Sequence, residues 1–137
     1  MTGFTLVELL IVIAIIGMLA GTAIPSLLSQ TIKSRRADGM VELSRVLKHQ
    51  ERYFLNNMTY TTELSKLGFT LDNGAVLSEE GLYHITAATC DDANIARCVQ
   101  LTATPLDSQK DDGTLSLNSR GDKDWAGNKA GETGWPQ

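Results

Sequence analysis

The chain reads as an α+β fold in which a long N-terminal α-helix packs on a small antiparallel β-sheet. Three observations predict this. No charged side chain occurs from Leu9 to Ile32, and so long an apolar stretch satisfies its backbone best as a helix. Directly after it, Met40, Leu43, Leu47 and Phe54 recur at spacings of three, four and seven, the rhythm of one helix face. Further on, residues 82–90 and 97–104 alternate apolar with polar side chains, as half-buried strands do.

Taken in order, the helix is predicted from Phe4 to Asn56, about 80 Å at 1.5 Å per residue. Its first part, to Leu28, is apolar all round. Its second part is amphipathic, with Val46 and Tyr53 widening the stripe and Asp38, Glu42, Arg45, Lys48, Glu51 and Arg52 expected mostly on other faces. Pro25 lacks an N–H and cannot bond the carbonyl of Gly21, so a kink is expected there. Gly17 and Gly21 form a Gly-x-x-x-Gly pair, which suits close helix packing in a membrane and also marks a place where a helix can unwind. The expectation is a segment 17–25 that is helical in a lone chain and at least partly extended in a filament. Asn56-Asn57 is a stop, because Asn tolerates the left-handed conformation that ends helices.

The loop that follows, 58–81, contains one or two helical turns at 61–68. Thr61 or Thr62 can cap them, Leu64 and Leu67 share a face, and Gly68 ends them, with Tyr60 and Phe69 tucked beneath. Asp72-Asn73-Gly74 is a turn. The two strand candidates then form a hairpin. If Cys90 lies opposite Cys98, Ala87 faces Leu101, Ile85 faces Ala103 and Thr89 faces Val99. These make one apolar face with Tyr83 and leave His84, Thr86, Gln100, Thr102 and Thr104 on the other. A slip of one residue would mix the faces, so register and a Cys90–Cys98 disulfide support each other. A bridge closing so short a loop is worth about 2–3 kcal/mol and holds a hairpin end. Residues 113–118 read as a third strand with Leu115 and Leu117 inward. The tail from Arg120 to Gln137 is rich in Gly, Asp, Lys and Asn, and Trp125 or Trp135 is expected to pin it to the sheet.

Composition narrows the function classes. With 137 residues the chain holds one domain, or one domain plus an anchor. The net charge of −4 disfavours nucleic acid as a partner. Lys110, Arg120, Lys123 and Lys129 could build a basic stripe, but Asp107, Asp111, Asp112, Asp122 and Asp124 dilute it, so DNA is an unlikely partner. Lys33, Arg35 and Arg36 form the one basic cluster and are expected against lipid headgroups or acids of neighbouring copies. No nucleophile, base and orienting group are suggested by spacing, so no enzyme is expected. His49 reads as solvated among charges, and His84 lies on a strand face with threonines. No cofactor is called for. Asp122-Lys123-Asp124 near Asn128 is too sparse in acids for calcium, and two histidines with two paired cysteines do not suit zinc, so no metal site is expected.

One residue stands against its surroundings. Glu8 sits at the head of the apolar run, where a carboxylate costs about 2.5–3.5 kcal/mol at a membrane helix centre and calls for a partner. No basic side chain lies near along the helix. A free amino group would serve, and a cut after Gly3 would place one on Phe4.

Gly3-Phe4-Thr5-Leu6-Val7-Glu8, followed by an apolar run and Pro25, resembles the N-terminal signature of type IV pilins and pseudopilins, closely from Gly3 to Pro25. The resemblance implies the type IV pilin fold. It also implies cleavage between Gly3 and Phe4 by a prepilin peptidase, N-methylation of Phe4, and packing of subunits by their helices into a filament. Glu8 would neutralise the Phe4 amine of a neighbour, with Gly17, Gly21 and Pro25 in the assembly segment. The implied layout is a leader remnant at 1–3, a transmembrane and polymerisation helix at 4–28, and a periplasmic or extracellular globular domain at 29–137. The leader Met1-Thr2-Gly3 carries no Lys or Arg, unlike family leaders, and the expectation is a start codon further upstream. The implied partners are other copies of the chain in a helical filament, the prepilin peptidase, the inner-membrane assembly machinery, and the lipid bilayer before assembly. The implied location is the inner membrane, as a single pass, and then the extracellular pilus. A type II secretion pseudopilin or minor pilin is the nearest alternative. A signal-anchored periplasmic binding module is the alternative of a different class, and it needs neither Glu8 nor Gly3.

Overall fold

A computed structural model of the chain describes residues 3–91, 94–127 and 134–136; for residues 22–26, 28 and 29 the description extends to the backbone alone. The chain divides into two units, Met1–Ser34 and Arg35–Gln137. One helix, α1 (Leu6–Asn57), supplies most of the first unit and the spine of the second.

In the first unit the helix starts on Thr5. Its hydroxyl oxygen accepts the backbone N–H of Glu8 at 3.2 Å, and its carbonyl accepts that of Leu9 at 3.2 Å. Thr5-Leu6-Val7-Glu8 therefore begins as a capping box does, with an acid in the first turn facing the positive helix end. The backbone is helical without interruption from Gly17 through Pro25, as expected for a lone chain.

In the second unit five antiparallel strands lie in sequence order: β1 (Val76–Leu77), β2 (Tyr83–Thr89), β3 (Val99–Pro105), β4 (Leu115–Asn118) and β5 (Lys123–Trp125). The central register is the one the cysteines and apolar alternation specify, with Ala87 opposite Leu101, Ile85 opposite Ala103 and Thr89 opposite Val99. Tyr83, Ile85, Val99, Leu101, Ala103, Leu115 and Leu117 turn inward and join Leu43 and Val46 of α1 in one buried core. The Cys90–Cys98 disulfide closes the hairpin end, with a Cα–Cα distance of 5.6 Å.

Several elements depart from the sequence-based expectation. The predicted third strand begins at Leu115, because Gly113 adopts a φ of 88° outside the strand. β1 is too short to read from periodicity, and β5 emerges from the polar tail. Asn118 makes β5 possible: its side-chain oxygen accepts the N–H groups of Arg120 at 3.0 Å and Asp122 at 2.9 Å, folding the chain back. α1 ends at Asn57, but Met58, not an asparagine, takes the left-handed conformation, with φ 54°. Asn56 and Asn57 donate instead to the carbonyls of Arg52 and Tyr53, one turn back. The turn at 61–68 is a 3₁₀ helix, Leu64–Leu67. Neither Thr61 nor Thr62 caps it: the N-cap is Glu63, without a side-chain bond, while Thr61 Oγ1 accepts the N–H of Glu63 just before the helix, and Gly68 ends it at φ 88°. Asp72 and Ala75 exchange both backbone bonds around Asn73-Gly74, where both residues have positive φ.

One residue of α1 departs from its expected face. Glu42 is buried and accepts two bonds from Arg45. Gln50 is buried too. Its amide donates to the Thr61 carbonyl at 2.6 Å and accepts the Thr61 N–H at 3.1 Å, pairing with the loop backbone as a strand would. At Gly39 α1 and the sheet approach closely. A Cβ there would lie 3.0 Å from the Tyr83 ring and 3.1 Å from Leu115 Cδ1.

Candidate assembly site

The residues singled out by sequence fall on the first unit. Gly3 and Phe4 precede α1, and Phe4 is 85% exposed. Glu8 sits one turn into the helix with its side chain exposed and its N–H bonded to Thr5. Leu6, Leu9, Ile11, Ile13, Ile16 and Leu19 are all more than half exposed. A Cβ at Gly17 or Gly21 would meet no atom within 4 Å. Pro25 lies in the helix, and its side chain falls outside the described ones. Apolar side chains of this size cost about 25 cal/mol for each Å² left in water, so the stretch is built to be covered. The expected spanning segment, 4–28, includes side chains outside the described set; among the described residues no helix is long and apolar enough to cross a membrane.

The second unit holds a buried polar centre that sequence reasoning missed. Arg36 and Asp112 lie 76 residues apart and form a two-point ion pair, with Arg36 Nε 2.7 Å from Asp112 Oδ2. Asp112 also accepts from Tyr83 Oη at 3.3 Å and Gln109 Nε2 at 3.1 Å, and its carbonyl accepts from Trp125 Nε1 at 2.6 Å. The Arg36 guanidinium lies over the Trp125 ring, 4.1 Å from its centre. Bonding to Asp112 raises the Arg36 pKa. Burial, with the Asp112 charge adding to it, pushes the Tyr83 hydroxyl up to about 12. The expectation that Arg36 belongs to a surface cluster with Lys33 and Arg35 is corrected: Arg36 is an internal tie, and Asp112 is withdrawn from the acids that offset the surface lysines. Neither sequence position carries a local signal of this. The centre has the chemistry of a structural clasp. Its two charges are matched, and the Asp112 carboxylate accepts from Arg36, Tyr83 and Gln109.

The tail is pinned by both tryptophans. Trp135 Nε1 donates to the Ser116 carbonyl at 2.9 Å, and Lys123 lies 4.5 Å from the centre of its ring. His49 is not simply solvated: its ring packs against Phe69, with centroids 4.7 Å apart, and its Nδ1 lies 3.3 Å from the Leu67 carbonyl. His84 Nε2 lies 3.0 Å from Asp72 Oδ2. Among the described residues no three His, Cys, Asp or Glu side chains converge as a metal set; Asn128 is outside those residues.

A helix bare along its leading half, with the trailing half buried by a five-stranded antiparallel sheet and a disulfide-closed hairpin, defines the type IV pilin class. Comparison with known proteins agrees. Residues 2–24 match the prokaryotic N-terminal methylation motif, and residues 25–116 match the family described as type IV minor pilin ComP, DNA uptake sequence receptor. The chain belongs to this family of type IV pilins. It is similar to the type IV major pilin protein PilA of Myxococcus xanthus, 34% identical over 89 residues, which are 65% of this chain and 39% of that protein. It is similar to the type IV wide pilus major component PilA4 of Thermus thermophilus, 43% identical over 65 residues, 47% of this chain and 50% of that one. The type IV major pilin protein PilE of Neisseria gonorrhoeae is 26% identical over 117 residues, 82% of this chain and 70% of that protein. The chain thus spans half or less of the length of the first two relatives.

Proposed function

We propose that the chain is a structural subunit of a type IV pilus, not an enzyme, and assembles through the leading half of α1 into a surface filament. The observation that carries this reading is the bare apolar surface from Phe4 to Leu19 on a chain whose core is complete without it. In this reading a prepilin peptidase cuts between Gly3 and Phe4 and Phe4 is N-methylated. The mature chain waits in the inner membrane as a single pass before the assembly machinery inserts it into the filament. Helix-on-helix burial then replaces lipid contacts, and the Phe4 amine of one copy meets the Glu8 carboxylate of another. The open surface at Gly17 and Gly21 supports close packing between copies.

The test separates the charge of Glu8 from its place in the first turn. Glu8→Gln keeps a first-turn side chain able to complete the capping box but removes the negative charge. Both Glu8→Ala and Glu8→Gln are expected to leave the subunit made and membrane-bound but poorly assembled. Normal piliation by Glu8→Gln would defeat the proposed pairing. Mass spectrometry of sheared filaments should find N-methyl-Phe4 at the terminus, and a terminus that retains Gly3 would count against processing.

The matched family's description favours a second reading, in which the filament takes up DNA. Of the basic stripe expected for it, the described residues Lys110, Arg120 and Lys123 are exposed, Lys123 lies over the Trp135 ring, and Asp107, Asp111, Asp122 and Asp124 are exposed among them. Salt-sensitive binding of duplex DNA by the purified protein would support this reading, and no binding at low salt would end it.

A further inference from the structure

In a chain of net charge −4, cations gather along one edge of the folded unit. Two crevices, of about 520 and 260 Å³, run between α1 and the loop after it and meet at His49. Arg45 lines the first, and Arg52 and Lys66 line the second. No carboxylate lines the second, and Asp72, the acid of the first, is engaged by His84. Arg45 and Lys66 have partners in Glu42 and Glu63, but Arg52 forms no ion pair among the described residues. The floor of the groove is firm: Phe69 is held between the His49 ring and the Arg45 guanidinium.

Elsewhere on the same unit lies the complement. Asp91, Asp122 and Asp124, all exposed, line a pocket of about 350 Å³ with Gln100, Ser116 and Asn118. The one cation there among the described residues, Lys123, is drawn over the Trp135 ring. Groove and pocket share no residue and are built on different elements. A contact between two different patches on identical copies does not close as a two-fold dimer. It repeats, and a repeat that does not close into a ring gives a helical filament.

We propose that the basic groove of one copy, centred on Arg52, receives the acidic pocket rim of the next copy, and that this contact fixes how folded units register along the filament. It rests on the filament reading above. Opposite charge on exposed surfaces steers and orients association more than it adds affinity, which suits a contact that follows helix packing.

Zero-length carbodiimide coupling of native filaments, followed by peptide mapping of the dimer band, tests it. The expected linkage joins a Lys66 peptide to one carrying Asp91, Asp122 or Asp124, and its yield falls as salt rises. Arg52→Glu and Asp91→Arg, both at exposed positions, should each cut that linkage by up to about fivefold, the upper range for an exposed ion pair. The double variant, whose patches are again complementary, should restore it. Filaments whose dimers lack this linkage, or a double variant no better than the singles, overturn the contact while leaving the subunit reading intact. Protection of Lys66 by added duplex DNA with no copy-to-copy linkage also overturns it. Absence of filaments overturns both.

Discussion

The guanidinium of Arg36 and the carboxylate of Asp112 meet inside the folded unit with only 7% and 4% of their side-chain surfaces exposed. Removing two charges from water costs several kcal/mol each, and the pair recovers this only through good geometry and filled donor and acceptor sites. Both conditions hold, since Tyr83, Gln109 and the Trp125 ring complete the shell. The pair also joins α1 to the segment between β3 and β4, so it sets where the sheet lies along the helix.

Breaking one side of this pair should cost more than replacing both. Asp112→Asn leaves Arg36 buried and unmatched, and a loss of about 3–5 kcal/mol is expected. Arg36→Met combined with Asp112→Leu should lose clearly less. Urea unfolding followed by tryptophan fluorescence measures both, and a double variant as unstable as the sum of its singles would contradict the account.

Alkaline pH should loosen the same centre. The Tyr83 hydroxyl titrates near 12 in the folded chain against an ordinary value of 10. A folded-state pKa raised this way gives stability that is fully present below pH 10 and lost as pH climbs towards 12. The loss is about 2–3 kcal/mol. Tyr60 is raised too, mainly by burial, so the informative quantity is the difference between wild type and Tyr83→Phe. That difference should shrink between pH 9 and 12, and a constant gap would refute the assignment.

Glycines of one helix should answer differently to the same change. Alanine stabilises an exposed helix site by up to about 1 kcal/mol relative to glycine. At Gly39 the added methyl meets the Tyr83 ring and Leu115, so Gly39→Ala should instead destabilise by about 1–3 kcal/mol. At Gly17 and Gly21 nothing lies in reach, so alanine there should leave a single chain as stable or more so. Any failure of those two variants to assemble would then report contacts between copies. A thermal melt of each variant, beside filament counts, distinguishes the cases.

The hairpin could be read from sequence because two independent signals, apolar alternation and a cysteine pair, specify one register. Long helix periodicity was equally legible. The Arg36–Asp112 pair was not, because its partners lie far apart in sequence and both residue types usually face water. Gln50 was hidden for a related reason: its burial depends on Thr61 presenting an unpaired backbone, which is a tertiary fact. β5 hung on the side chain of Asn118 and not on any strand-like pattern. In the first unit the apolar run was plain, while the bond from the Glu8 backbone N–H to the Thr5 hydroxyl, which starts the helix, was not part of that reading.

Loss of the disulfide should be felt locally. Cys90→Ser with Cys98→Ser is expected to cost about 2–3 kcal/mol, the value for a loop this short. Amide exchange should quicken at Val99 and Thr89 well before it does at Leu101. Uniform acceleration across β2 and β3 would mean that the bridge supports the whole sheet and not one end of it.

Among the described residues, no buried side chain precedes Arg36. The described side chains of the leading stretch therefore take no part in the buried core that holds the sheet on α1. Covering those side chains and holding the sheet are separate demands, so a change that weakens one can leave the other untouched.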